Sequence, residues 1–340
     1  MHFGGGKVPS EQNLFKSYLN NFQTIIEDTC FGGYVHNFYK NTSAPIQSNI
    51  SDSAIFLISN GVSIMTFVGH ASGLGFDQNL DHPEAYYNDN GKYPLIMAIS
   101  CYVGDIHSEW SESTSEEWTL YKNGGAIAFF ASVTLGEAGA LYPFVENTYT
   151  SLGQKFYGSP IGKVIQQAII LTYDSTVVSN AVIRGFYEMT LHGDPAVVIH
   201  APRKPDLSVT EPSVYFTPSY INTEIDSFEV NVIITNIGKA VNQSYAVQLV
   251  RYFPSGNAAP AIYQIVQKAL YKDTVTFWVQ TDQVNGVGLN LFEISLDING
   301  TLDEISETNN NVTVPLLIRS DDVIPVFPAE FAIVPNLNPT

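Results

Sequence analysis

Four short apolar runs with almost no alternation constrain the fold more than anything else in this chain: 62–68 (VSIMTFV), 94–101 (PLIMAISC), 125–133 (GAIAFFASV) and 195–200 (PAVVIH). A strand wetted on one face alternates apolar and polar residues, whereas a strand covered on both faces does not. Helical patterns separate the runs. Residues 10–27 place Leu14, Phe15, Leu19, Phe22, Ile25 and Ile26 near a 3.6-residue period, with Ser10 as the expected N-cap. Segments 113–123, 137–152 and 160–173 also read as helices. Strand–helix alternation of this kind predicts an α/β sandwich, a mostly parallel sheet flanked by helices. The opening MHFGGG reads as a strand end running into a glycine turn, and as a start inside a larger protein.

The pattern changes at Pro202–Pro205. PDLSVTEPSVYF, FEVNVIITNIG, SYAVQLVRYF, TVTFWVQT and LFEISLDING are alternating segments set off by Gly, Pro and Asn turns. They predict an antiparallel β-sandwich. The expected division is 1–203, 204–317, and 318–340 as a linker or the start of a further module (SDDVIPVFPAE).

A length of 340 residues suits two domains. The net charge is −18. Residues 1–203 carry 9 basic and 18 acidic groups and the remainder 6 and 15, so each part is −9. Nucleic-acid binding needs clustered Lys and Arg to neutralise phosphates, and none occur. Anionic membrane surfaces are disfavoured for the same reason. No apolar run reaches the ~18 residues of a membrane span. Two cysteines make no disulfide framework. Few Lys and many Asn, Ser, Thr and Tyr suit a secreted or surface protein.

His70 follows one apolar run and Cys101 ends the next. Ligands of open parallel sheets bind at the carboxyl ends of strands, and adjacent strands lie about 4.8 Å apart. A Cys needs a base or nearby positive charge to populate its thiolate, and imidazole supplies either. The pair thus has the residue types of a nucleophilic site. A Cys ending an apolar strand is equally an ordinary buried hydrophobe, and a His beside Gly an ordinary turn residue. Asp105 and His107, in the polar segment after Cys101, are further cleft candidates. Asp77, with Asp81, Glu84 and Asp89, makes an acidic loop that suits a structural Ca²⁺, a basic substrate side chain, or plain solvation; its spacing is not that of an EF-hand. Cys30, beside Gly32-Gly33, reads as structural. HExxH, paired CxxC, Walker A and GxSxG motifs are absent from the sequence.

FVGHASG, AISCYVGDIH, NGGAIAFFASV and LHGDPAVVIH resemble, in order and in the 31-residue spacing from His to Cys, the gingipain family of cysteine peptidases (peptidase family C25, caspase-like fold). The resemblance covers about residues 1–200. It implies that His70 is the general base and Cys101 the nucleophile of an acyl-transfer reaction on protein or peptide substrates, without a cofactor. It also implies an oxyanion held by the backbone N–H groups of Cys101 and Ala71. Ala71 stands where the family has Gly. The family's orienting carboxylate lies well upstream of the His, earlier than this chain is expected to reach, so the resemblance assigns that role to none of Glu11, Glu27 and Asp28. The glycine-rich strand at 124–132 and the GDP segment at 193–195 read as structural.

Residues 205–316 resemble a CARDB-type immunoglobulin-like domain through PDLSV, VIITNIGKA and LDINGTLDEISETNNN. This implies a spacer or a contact with a cell-surface partner, with Asp303, Glu304 and Glu307 capping turns or holding a cation. The implied whole is a secreted or cell-surface cysteine endopeptidase of a Gram-negative bacterium. The alternatives are a non-catalytic adhesion protein that keeps the fold, and a sortase-like transpeptidase.

Overall fold

The computed structural model describes residues 1–47, 52–72, 75–78, 80, 82–89, 91–109, 112–175, 178–199 and 201–320. The chain divides into two compact units: Met1–Lys204 with Gly238–Val241, and Pro205–Ile237 with the chain from Asn242.

The first unit contains strands β1 (His2–Gly4), β2 (Asn37–Tyr39), β3 (Ile64–Val68), β4 (Ala71–Ser72), β5 (Gly75–Phe76), β6 (Leu95–Ile99), β7 (Ala128–Ser132) and β8 (Met189–Gly193). Its helices are α1 (Pro9–Glu27), α2 (Asp52–Asn60), α3 (Thr114–Leu120), α4 (Ala138–Gly153), α5 (Ile161–Ser175) and α6 (Asn180–Glu188). The main sheet runs β2-β1-β3-β6-β7-β8, parallel except between β7 and β8, and β4–β5 is a separate hairpin. Every residue of β3, β6 and β7 is buried, as their unbroken apolar runs require. Successive side chains leave by opposite faces. Ile64, Val68, Leu95, Met97 and Ile99 pack with Leu19 and Phe22 of α1, Phe144 of α4 and Val164 of α5. Met65, Phe67, Ile96 and Ala98 pack on the other face with Ala54 and Ile58 of α2 and Trp118 of α3. The first unit is therefore the expected α/β sandwich.

Two local expectations are corrected. Ser10 is not the cap of α1: Val8 is, and Pro9 occupies the first helical position, where its fixed φ and missing N–H cost nothing. PAVVIH is not the last strand. Asp194 turns the chain, its Oδ1 accepting from the Ala196 N–H (2.8 Å) and its carbonyl from the Val197 N–H (3.2 Å). Among the described residues of the run, only Val198 makes an isolated bridge, to Pro160, while Ile199 closes the α1–α4–α5 core; His200 lies outside the described residues. The run is apolar because it covers the core, not because it enters the sheet. The strand is MTLHG, antiparallel to β7 at the sheet's edge.

The second unit holds β9 (Leu207–Ser208), β10 (Val214–Thr217), β11 (Ser227–Asn236), β12 (Tyr245–Tyr252), β13 (Ile262–Val266), β14 (Lys272–Gln280), β15 (Gly288–Leu296) and β16 (Asn311–Ile318). One sheet runs β10-β11-β14 with β9 also on β11; the other runs β13-β12-β15-β16. Phe216 and Phe228 of the first sheet each pack edge-on to Phe292 of the second, so the sheets face one another as a β-sandwich. Most of the proposed linker, from residue 321, lies outside the described residues. Among the described residues no helix is long and apolar enough to cross a membrane.

Candidate active site

β3 and β6 pair in parallel with a constant offset of 31, from Ile64 opposite Leu95 to Val68 opposite Ile99. His70 and Cys101 are separated by the same 31 positions. The Gly69 N–H donates to the Ile99 carbonyl (3.2 Å), which carries the ladder past the strand ends. His70 therefore stands opposite Cys101 at the carboxyl edge of the sheet. Parity sets their direction. Val68 and Ile99 face α1 and α4, and two residues further on the side chains return to that face. The contacts agree. The His70 ring lies edge-on to Phe15 of α1 (6.0 Å between centroids), and the Cys101 thiol donates to the Gly136 carbonyl just before α4 (3.6 Å). Both side chains are half-buried. No hydrogen bond joins thiol to imidazole among the described contacts.

Glu11, in the first turn of α1, meets His70 Nε2 through Oε2 at 3.1 Å. The same oxygen accepts the Lys7 N–H at 2.9 Å. The Lys7 N–H, and then His70, hold this carboxyl below its usual range. Glu27 and Asp28 sit at the opposite end of α1. With Nε2 engaged, Nδ1 is the nitrogen left for proton exchange with a thiol.

The backbone around His70 is fixed by Asp77. Its Oδ1 accepts the His70 N–H (3.2 Å) and its Oδ2 the Gly6 N–H (2.8 Å). Lys40 Nζ lies 3.2 Å from Oδ2, with the two side chains only 0% and 6% exposed. Asp77 is thus corrected: it is neither a cleft residue nor a solvated one, because the chain's own buried lysine takes its charge. Glycine is required beside it, since a Cβ on Gly5 would lie 1.9 Å from Asp77 Oδ1. The Asp77 N–H also donates to the His70 carbonyl (2.8 Å). Hydrogen-bonded and non-hydrogen-bonded pairs alternate along an antiparallel ladder. The next pair, Ala71 opposite Phe76, therefore directs the Ala71 N–H away from β5.

Past Cys101 the chain turns sharply: Tyr102 adopts φ +60°, rare for a residue with a side chain. The loop is pinned to the end of β7 by Tyr102 N–H to Thr134 O (2.9 Å) and Gly104 N–H to Ser132 O (3.0 Å). Asp105 is half-buried and His107 exposed; they form a local turn, His107 N–H donating to Asp105 Oδ1 (3.1 Å). Glu84 and Asp89 are exposed, and Asp81 lies outside the described residues. Half-buried Cys30 donates its N–H to Gly153 O (2.8 Å). Sequence reasoning missed Lys40 and Gly136, which act by close packing that no motif announces.

A thiol and a carboxylate-held imidazole at the carboxyl edge of a parallel sheet are the equipment of a cysteine hydrolase. Comparison with known families is narrower: residues 5–200 match the model of peptidase family C25. The chain belongs to that family, which supports a cysteine peptidase. Curated proteins give no match. Similar solved structures include the Arg-specific cysteine proteinase gingipain R (RgpB), at 14% identity and a TM-score of 0.46, covering 94% of this chain and 66% of that one. The complex of Porphyromonas gingivalis RgpB pro- and mature domains has the same identity and TM-score and covers 94% and 68%. This chain thus spans just under two thirds of the gingipain R chain. The CARDB domain of a Pyrococcus furiosus protein with di-metal ions matches at 19% identity and a TM-score of 0.27, covering 34% of this chain and 90% of that one.

Proposed function

We propose that the first unit cleaves peptide bonds with Cys101 as nucleophile and His70 as general base and acid. The observation that carries this reading is the shared offset: the register of β3 on β6 equals the His70–Cys101 spacing, so two chemically matched side chains emerge together. His70 Nδ1 takes the thiol proton, and Sγ forms a bond to the substrate carbonyl carbon. The tetrahedral oxyanion accepts from the N–H groups of Ala71 and Cys101. As the C–N bond breaks, the imidazolium gives its proton to the leaving amine. Water, losing a proton to Nδ1, then hydrolyses the thioester and frees the thiol. Glu11 orients the imidazole and balances its charge when protonated. The chemistry calls for no cofactor.

The segments that follow the two strand ends, with Asp105 and His107 after Cys101, supply substrate contacts. The β-sandwich, as a CARDB-type module, acts as a spacer or contacts a cell-surface partner. This suits a secreted or surface enzyme of a Gram-negative bacterium. The test is digestion of a mixed peptide library with mass-spectrometric mapping of the cuts. Cleavage is expected, falling by about 10⁶-fold in Cys101→Ser and His70→Ala. Cleavage that persists in Cys101→Ser, or no cleavage with intact folding, would overturn the proposal and leave a binding role.

A further inference from the structure

The geometry points to a transition-metal site on His82, Glu84 and Glu117, apart from the His70–Cys101 pair. One ligand atom from each residue lies within 4.8 Å of the other two, and His82 Nδ1 directly contacts Glu117 Oε1. The described residues beneath it are buried and packed. His82 and Glu84 flank buried Pro83 in a short 3₁₀ turn. Tyr86, which closes that turn, is buried, donates its hydroxyl to Leu80 O (2.8 Å) and packs on Trp118, the residue after Glu117 (5.5 Å between rings). Packing on the apolar side thus brings three donors together on the wet side.

Charge supports the assignment. Two carboxylates converge on one imidazole, and neither meets a Lys or Arg among the described ion pairs. An imidazole nitrogen with two carboxylates is a borderline donor set. It suits Zn²⁺ or Co²⁺, whose ligand bonds are about 2.0–2.2 Å, with water completing the shell. Ca²⁺ takes six to eight oxygens and has little use for the imidazole. His82 and Glu84 follow the hairpin after His70, and Glu117 lies on the helix after the Cys101 loop, so a bound ion would tie the segment after His70 to α3.

The test is titration with Co²⁺ followed by absorption, and with Zn²⁺ by calorimetry, on the whole chain. Saturable binding of one equivalent is expected, with d–d bands and no thiolate charge-transfer band, which separates this site from Cys101 and Cys30. His82→Ala and Glu117→Gln should each weaken binding at least about tenfold, and Cys101→Ser should leave it unchanged. Because His82 and Glu84 are exposed, His82→Ala and Glu84→Gln should fold, which circular dichroism checks. No saturable binding, a thiolate band, or affinity indifferent to His82 would each overturn the assignment.

Discussion

Glu11 and Asp77 both hold His70, but by different means. Glu11 touches the imidazole from a half-buried position at the start of α1, so its effect is mainly on orientation rather than on folding. Misplacing a reacting group by about 1 Å costs about 10²-fold, and Glu11→Gln should lower kcat or the alkylation rate of Cys101 toward that extent with an unchanged unfolding curve. The pH sense follows from the depressed carboxyl. Glu11's contribution is fully present above its ordinary range and is lost as pH falls through the lower folded value, so its loss belongs to the acid limb of the rate profile. Asp77 is buried with Lys40, and removing one partner of a buried pair strands the other charge. Asp77→Ala should cost about 3–5 kcal/mol in urea unfolding, and Lys40→Met a similar amount. The double change should cost less than the sum, because no lone charge remains.

Among the elements, the turn before α4 presses on the end of β6. A Cβ on Gly136 would lie 2.2 Å from the Ser100 carbonyl, and backbone cannot swing away as a side chain can. Gly136→Ala should therefore cost about 1–3 kcal/mol and slow Cys101 labelling, since Cys101 follows Ser100 and leans on Gly136. The buried central strands were legible because burial on both faces writes an unbroken apolar run. β8 was hidden because an edge strand of mixed polarity, MTLHG, carries no such run, and PAVVIH misled because a core-covering turn is also apolar. α2 and α6 are nine residues each, short enough for their periodicity to escape notice. The placement of His70 and Cys101 at neighbouring strand ends was legible from the apolar runs and their spacing. Asp77 looked solvated because its counter-charge, Lys40, comes from the segment after β2, a contact that only the fold creates.

At the scale of the whole molecule, the sandwich has a buried charge of its own. Arg251, 4% exposed, donates to Asn290 Oδ1 (2.9 Å), Gln280 O (2.6 Å) and Thr281 O (2.9 Å), and stacks over Phe253. Arg251→Ala leaves these acceptors unpaired and opens a void, so the sandwich should lose about 3 kcal/mol. Cys101 reactivity should be unaffected, because the clusters under the site are built from first-unit residues.

The central claim is that Cys101 and His70 work as a pair. Iodoacetamide labelling of the native chain from pH 5 to 9, with mass-spectrometric assignment and a His70→Ala control, tests it most directly. The account predicts fast labelling of Cys101 near pH ~6, below the range of an ordinary thiol, and its loss in His70→Ala. Labelling that rises only above pH ~8, or that is the same without His70, would contradict it.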